Sequence, residues 1–358
     1  MAYGIIIRPD GWNRNLDITT SCRLLSPLGR ISVLGSNTIG DVNIPLALPA
    51  GYGGGALMVI PSKAADITFN PESPSANLIS CIRGASASVN TLNLAARIGR
   101  RINERAPVFD ISVFEIPPAQ TQTYGIALKD AVNFTTISDS SRLGYVTWIG
   151  TVNINREWSI PNVANRDNCV VFARWENQSV PLFFDRDSMS IKAFTNFAAG
   201  DGAQMVGVVN NVQIVIVSGG FSPQLPSSGY GIVIRNAQNQ ITFSSALPPV
   251  IWRGGVFTLP FYMENSSSGS PKIDWRVATG NVALPMVPLG NYGYQCGDYD
   301  YGGTYPSKPM LYSGLLMSGN SVSTYRAKPA GMTVYYQTYP SRGQAGLSLP
   351  CLDAADYF

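Results

Sequence analysis

Histidine is absent from all 358 residues. Its absence removes Ser-His-Asp and Cys-His nucleophilic catalysis and every His-ligated metal site. Carboxylate-pair hydrolysis, lysine chemistry and pure binding remain open. Charge is the second shortage. Asp, Glu, Lys and Arg make up 13% of the chain, about half the ~25% usual in soluble domains. Helical proteins cover their solvent faces with Lys, Glu and Arg, so here Ser, Thr, Asn, Gly and Tyr must supply the polar surface. That favours strands and ordered loops, and the fold expected is all-β. The formal net charge of +3 is close to neutral for this length, so no nucleic-acid-binding field is expected.

Cysteine is sparse. Cys22, Cys81, Cys169, Cys296 and Cys351 are odd in number, widely spaced and without a Cys-x-x-Cys pair. Scattered buried thiols, made in a reducing compartment, fit better than a disulfide framework or a zinc site. No basic segment followed by a long apolar run opens the sequence, so no Sec-type signal peptide is expected. The longest apolar runs, such as Val212–Val217, have strand length and fall far short of a membrane span.

What the chain does have is a 45% apolar fraction, enough to build a core, and a length that suggests two or three domains. It also carries a repeat. Tyr3-Gly4-Ile5-Ile6-Ile7-Arg8-Pro9 returns as Tyr230-Gly231-Ile232-Val233-Ile234-Arg235-Asn236, with a weaker copy at Tyr124-Gly125-Ile126-Ala127-Leu128-Lys129-Asp130. The spacing is too long for a solenoid and suits a small domain.

Each copy reads as strand, turn, strand. The turns are Asp10-Gly11, Asp130-Ala131 and Asn236–Asn239, and the second strands are Leu16–Thr19, Phe134–Ile137 and Ile241–Ser244. Asp-Gly and Asn tolerate the positive φ of tight hairpin turns. The copies end in β-rich runs at Val108–Ile116, Val212–Val217 and Met332–Tyr339, and Pro/Gln/Ser linkers follow the first two. We therefore expect three small tandem β-sandwich or open-barrel modules over residues 1–121, 122–227 and 228–358.

Further strands are expected at Arg30–Leu34, Ala56–Ile60, Tyr145–Ile149, Cys169–Trp175, Val180–Phe184, Val250–Pro260, Asp274–Ala278 and Leu311–Met317. One short helix is expected over residues 89–105, with Leu92, Ala95, Ala96 and Ile98 on one side.

The richest candidate surface is Gly290–Leu316. Tyr292, Tyr294, Tyr299, Tyr301, Tyr305 and Tyr312 are interleaved there with Gly, Asn291, Asp298 and Asp300. Tyr gives large contact area at low entropic cost, Gly lets a loop shape itself, and Asp or Asn adds hydrogen bonds, a mixture shared by recognition loops. The segment reads as a receptor contact, a subunit interface or a plain loop. Asp298 and Asp300 alternate as a pair sharing Ca²⁺ or forming a hydrolytic carboxylate pair would, but no Ca²⁺-loop pattern surrounds them. No cofactor is expected.

Gly51–Gly55 lacks the following helix and Lys-Ser/Thr of a phosphate cradle and reads as a flexible loop. Arg97, Arg100, Arg101 and Arg105 are the main local charge concentration. They suit an anionic partner, either lipopolysaccharide phosphate or an acidic neighbouring subunit. With Glu104 and Asp110 nearby, a self-neutralised solvated face is the alternative.

The opening Met-Ala-Tyr-Gly-Ile-Ile-Ile-Arg-Pro-Asp-Gly and its echo Tyr230–Ser245 resemble small tail proteins of tailed bacteriophages. Those chains begin Met-(Ser/Ala)-Tyr-Gly-aliphatic and run into a short hairpin. The match covers some fifteen residues per copy, and three copies stand here where the family has one. The resemblance implies a structural component of the tail tip, baseplate or fibre region, with no catalytic residues to carry over. It also implies other tail proteins as partners, homo-oligomers of three- or six-fold symmetry, and a virion assembled in bacterial cytoplasm. Charge depletion agrees with subunit contact, because interface cores are poor in charge. A capsid decoration protein is the alternative, and a polysaccharide depolymerase a more distant one.

Overall fold

The computed structural model describes residues 4–19, 22–49, 52–68, 78–88, 91–99, 106–116, 125–128, 135–138, 143–195, 207–227, 231–236, 238–264, 276–280, 282–296, 307–335 and 342–358. Among them the chain is all-β. Its strands pair antiparallel, and the helical elements are two single 3-10 turns, Arg166–Asn168 and Ala354–Asp356.

Residues 26–116 build two sheets. Val108–Ile116 is the centre of the first, flanked by Ser26–Leu34 and Ala56–Lys63; the second runs Gly40–Ala47, Thr91–Ile98, Leu78–Ser88, Ala65–Thr68. Side-chain alternation explains the second sheet. In Thr91–Ile98 the apolar Leu92, Leu94, Ala96 and Ile98 are buried, while Thr91, Asn93, Ala95 and Arg97 face outward. That period of two corrects the expected helix at 89–105: within the described residues 91–99 there is a strand. Ala95 and Ala96 suggested a helical face, but the apolar positions recur every second residue, as a half-buried strand requires.

The three copies of the repeat each form an antiparallel hairpin: Gly4–Ile7 with Leu16–Thr19, Gly125–Leu128 with Thr135–Ser138, and Val233–Arg235 with Ile241–Ser244. The first and third share one core. Ile7, Leu16 and Ile18 from one hairpin and Phe243 from the other are buried in a single cluster with Cys22, Leu24, Leu143, Tyr145 and Ile251. Tyr145 holds the middle of it. Its ring lies 5.8 Å from that of Phe221, and its hydroxyl donates to the Thr242 carbonyl at 2.9 Å.

The largest sheet has 14 strands and draws on both later thirds of the chain. Leu182–Asp185 pairs with Ser307–Ser318, and Val170–Arg174 with Pro285–Pro288. A second junction ties in the first third. Leu25 N–H donates to the Val250 carbonyl at 3.1 Å, Val250 N–H to Gly144 at 2.9 Å, and Gly144 N–H to Leu25 at 2.8 Å. Hydrogen-bonded ladders thus cross the expected limits at 121 and 227. Open strand edges take partners by proximity in space, which a local hydrophobic pattern does not encode. The main core is correspondingly continuous, from Phe109 and Ile111 of the first sheet through Val171, Ile214 and Ile216 to Val287 and Met310.

All five cysteines are buried thiols outside any disulfide, as their spacing suggested.

Candidate functional site

The Tyr/Gly segment begins on a strand hairpin. Gly293–Cys296 pairs with Ser307–Ser318 through Tyr294↔Tyr312, Gln295↔Leu311 and Cys296↔Met310. Arg342–Gln344 pairs on the other side of Gly293–Cys296, and Tyr262–Glu264 pairs with Arg342–Gln344 in turn. Register then fixes where the connections leave. Glu264 faces Arg342, Gln295 faces Arg342, and Ser307 faces Tyr335. Residues 297–306 and 336–341 are therefore entered and left at one end of the sheet, whereas 265–275 leave at that end and rejoin at Val277–Ala278, which pairs with Val322 and Ser321 at the opposite end. Asp298, Tyr299, Asp300, Tyr301 and Tyr305 lie outside the described residues.

Tyr292 and Tyr294 are placed differently from expectation. Both are fully buried, so within the chain neither offers a ring to a receptor or a neighbouring subunit. The Tyr292 hydroxyl donates to the Pro288 carbonyl at 2.6 Å, and the Tyr294 ring packs on Gly343, where a Cβ would come within 2.3 Å of it. Burial pushes both phenols well above the ordinary tyrosine range. These residues anchor the base of the segment. The Tyr-x-Tyr spacing read as a loop belongs to a strand end whose two faces are both covered.

Of the arginine group, Arg97 is half exposed and pairs with Asp41 at 2.9 Å, and Asp41 also takes Arg83 at 2.6 Å. Arg100, Arg101 and Arg105 lie outside the described residues. The Gly-rich segment proves to hold an anion from its own chain. Gly53 N–H donates to both oxygens of Glu115 at 3.0 and 3.1 Å, and Gly55 N–H donates to Oε1 at 2.7 Å.

Sequence reasoning missed a polar cleft of about 330 Å³ where the first sheet meets the largest one. Arg30, Lys63, Val108 and Asp110 form one wall; Phe184, Asp185, Arg186, Asp187, Tyr312 and Lys328 form the other. Asp185 is buried and accepts from Lys192 Nζ at 2.7 Å and Lys328 Nζ at 2.9 Å. Burial alone would raise its carboxyl, but the hydrogen bonds and charges of the two lysines outweigh it and hold the group below the usual carboxylate range. Lys328 also reaches Asp187 at 3.5 Å. Across the cleft Arg30 pairs with Asp110 at 2.7 Å, and Lys63 with buried Asp66 at 2.5 Å. The one sequence signal was Asp185-Arg186-Asp187, three consecutive charges in a charge-poor chain.

Among the described residues no group of three or more Cys, Asp or Glu is placed to hold a metal ion, and no helix is long and apolar enough to cross a membrane. No curated protein and no solved structure matches the chain. A family of unknown function (DUF6453) matches it over residues 4–339.

Proposed function

The chain belongs to the DUF6453 family, and we propose that it is a structural protein of a tailed-bacteriophage virion, seated in the distal tail, baseplate or fibre region. The observation that carries this reading is the repeated hairpin. The copy at Gly4–Thr19 resembles the opening of phage tail proteins, and it packs with the copy at Val233–Ser244 in one core. A duplicated docking element on a rigid all-β frame suits a chain that bridges neighbours in a symmetric particle. The shortage of charge agrees, since surfaces destined for burial between subunits carry little of it.

Host contact is the second part of the proposal. Two connections start and finish at one end of the largest sheet, and their sequences hold Tyr299, Tyr301, Tyr305, Tyr336 and Tyr339 among Gly, Thr and Ser. Such composition on a rigid frame suits recognition, and Asp298 and Asp300 add acceptors. Arg97, Arg100, Arg101 and Arg105 remain candidates for an anionic surface such as lipopolysaccharide phosphate.

Mass spectrometry of purified particles, with immunogold labelling of this chain, tests the proposal. Label at the tail tip or fibres is the expected result. Label on the head favours the capsid-decoration alternative, and absence of the chain from particles overturns both. For the receptor role, particles carrying Tyr299→Ala with Tyr301→Ala should adsorb more slowly while still assembling; unchanged adsorption refutes that part.

A further inference from the structure

Arg186 is unusual within the polar cleft. Its guanidinium is mostly buried, yet among the described residues it forms no ion pair. Its Nη1 and Nη2 donate to the Asp167 and Cys169 carbonyls at 3.1 and 2.5 Å, and the group lies over the Phe184 ring at 5.4 Å. Its Nε is buried without a partner, and so is Asp110 Oδ1 in the same cleft. A native wall keeps orphaned donors and acceptors rarely, and a missing ligand or water is one of the few reasons for it.

The charge count runs the same way. Arg30, Lys63, Arg186 and Lys328 line the cleft against Asp110, Asp185 and Asp187, with Asp66 and Lys192 pairing to Lys63 and Asp185 outside the lining. Asp187 is 92% exposed, so solvent screens it. Two lysines share the one buried carboxylate of Asp185, so Lys192 can satisfy it while Lys328 takes a second anion. Burial lowers the Arg186 pKa, and the like charge of Arg30 lowers it further; an anion between the two guanidiniums would relieve that repulsion.

From this we infer that the cleft is a binding site for a small hydroxylated ligand bearing one oxyanion, a carboxylate or a phosphate. Arg186 and Arg30 supply forked donors for the oxyanion, Lys328 and Lys63 supply point charges, and Asp110 accepts from a hydroxyl. The cleft volume sits at the small end of ligand sites, which fits a single acidic sugar unit. The inference stands apart from the virion proposal, because it rests on this cleft alone.

Titration calorimetry on the full chain with glucuronate, glucose 6-phosphate, inorganic phosphate and neutral glucose provides the test. At least one acidic sugar should bind, more tightly than inorganic phosphate and at least tenfold more tightly than glucose. Preference for glucuronate or for glucose 6-phosphate identifies the oxyanion. Lys328→Met, which leaves Asp185 paired to Lys192, should weaken binding tenfold or more, and Arg30→Gln should do likewise. Arg235→Gln, on the third hairpin, should leave it unchanged. No binding by either acidic sugar overturns the inference. So does binding that survives both cleft substitutions in variants whose far-ultraviolet spectrum matches the parent's. Binding of neutral glucose at equal strength overturns the oxyanion assignment.

Discussion

The backbone N–H of Gly55 donates to Glu115 Oε1 at 2.7 Å, so the glycine-rich turn is held by a carboxylate sixty residues later in the chain. Glu115 is buried, and the same group takes Gly53 N–H. Glu115→Gln replaces one acceptor oxygen by a donor facing an N–H, which should cost about 1–3 kcal/mol. Gly55→Ala should cost at least as much, because a Cβ there would sit 2.1 Å from the Ile116 carbonyl oxygen. Urea unfolding of both variants checks this, and midpoints equal to the parent's would refute the cradle's role.

Asp185 sets an acid-sensitive point. Its folded pKa lies below the unfolded value of about 3.9, so its contribution is present above that value and lost as pH falls through the depressed folded one. Asp185→Asn strands two lysines and should cost about 3–5 kcal/mol near neutral pH. The gap in stability between parent and variant should hold constant down to about pH 5 and narrow as pH falls below about 3.9 toward the depressed folded value. A gap independent of pH would show that the lysines do not act through charge.

The thiols should be inert in the native protein. Burial pushes Cys81 and Cys351 up to about 12 and Cys169 to about 11, and only a thiolate attacks an alkylating reagent. Iodoacetamide at mildly alkaline pH should label these three slowly, and all five cysteines rapidly in denaturant. Fast native labelling of Cys81 would contradict the packing described.

The shared core of the first and third hairpins is open to a direct check. Ile18 is fully buried in it, and Ile18→Ala should cost about 2–5 kcal/mol. Hydrogen exchange should quicken in Val233–Arg235 and Ile241–Ser244 as well as in Leu16–Thr19. Faster exchange confined to the first hairpin would show that the two do not share stability.

Much of the fold was legible. The alternating and β-branched runs at Arg30–Leu34, Ala56–Ile60, Tyr145–Ile149 and Leu311–Met317 all fall within observed strands. Val250–Pro260 splits at Gly254, which takes φ +83° between Ile251–Trp252 and Val256–Leu259. The helix read at 89–105 failed because short runs with alanine fit both periods, and the partner strands Gly40–Ala47 and Leu78–Ser88 decided between them. The site was harder to see. The cleft gathers Arg30, Asp110, Arg186 and Lys328 from four distant stretches, and no local spacing links them.

The sequence by itself determined the class of structure and much of the chemistry that is ruled out. A chain with no His and little charge cannot build His-based catalysis, and its apolar periodicity of two commits it to strands. It also determined the three hairpins, because Tyr-Gly-aliphatic strands joined by Asp or Asn turns close locally. Tertiary structure alone decided the rest. It chose which open edges pair across residues 121 and 227, buried Tyr292 and Tyr294, and set Glu115 beneath the glycines. It also brought four cations to one cleft. Strand pairing and charge clustering are long-range: they depend on which surfaces remain free once local structure has formed, and a local pattern carries no record of that.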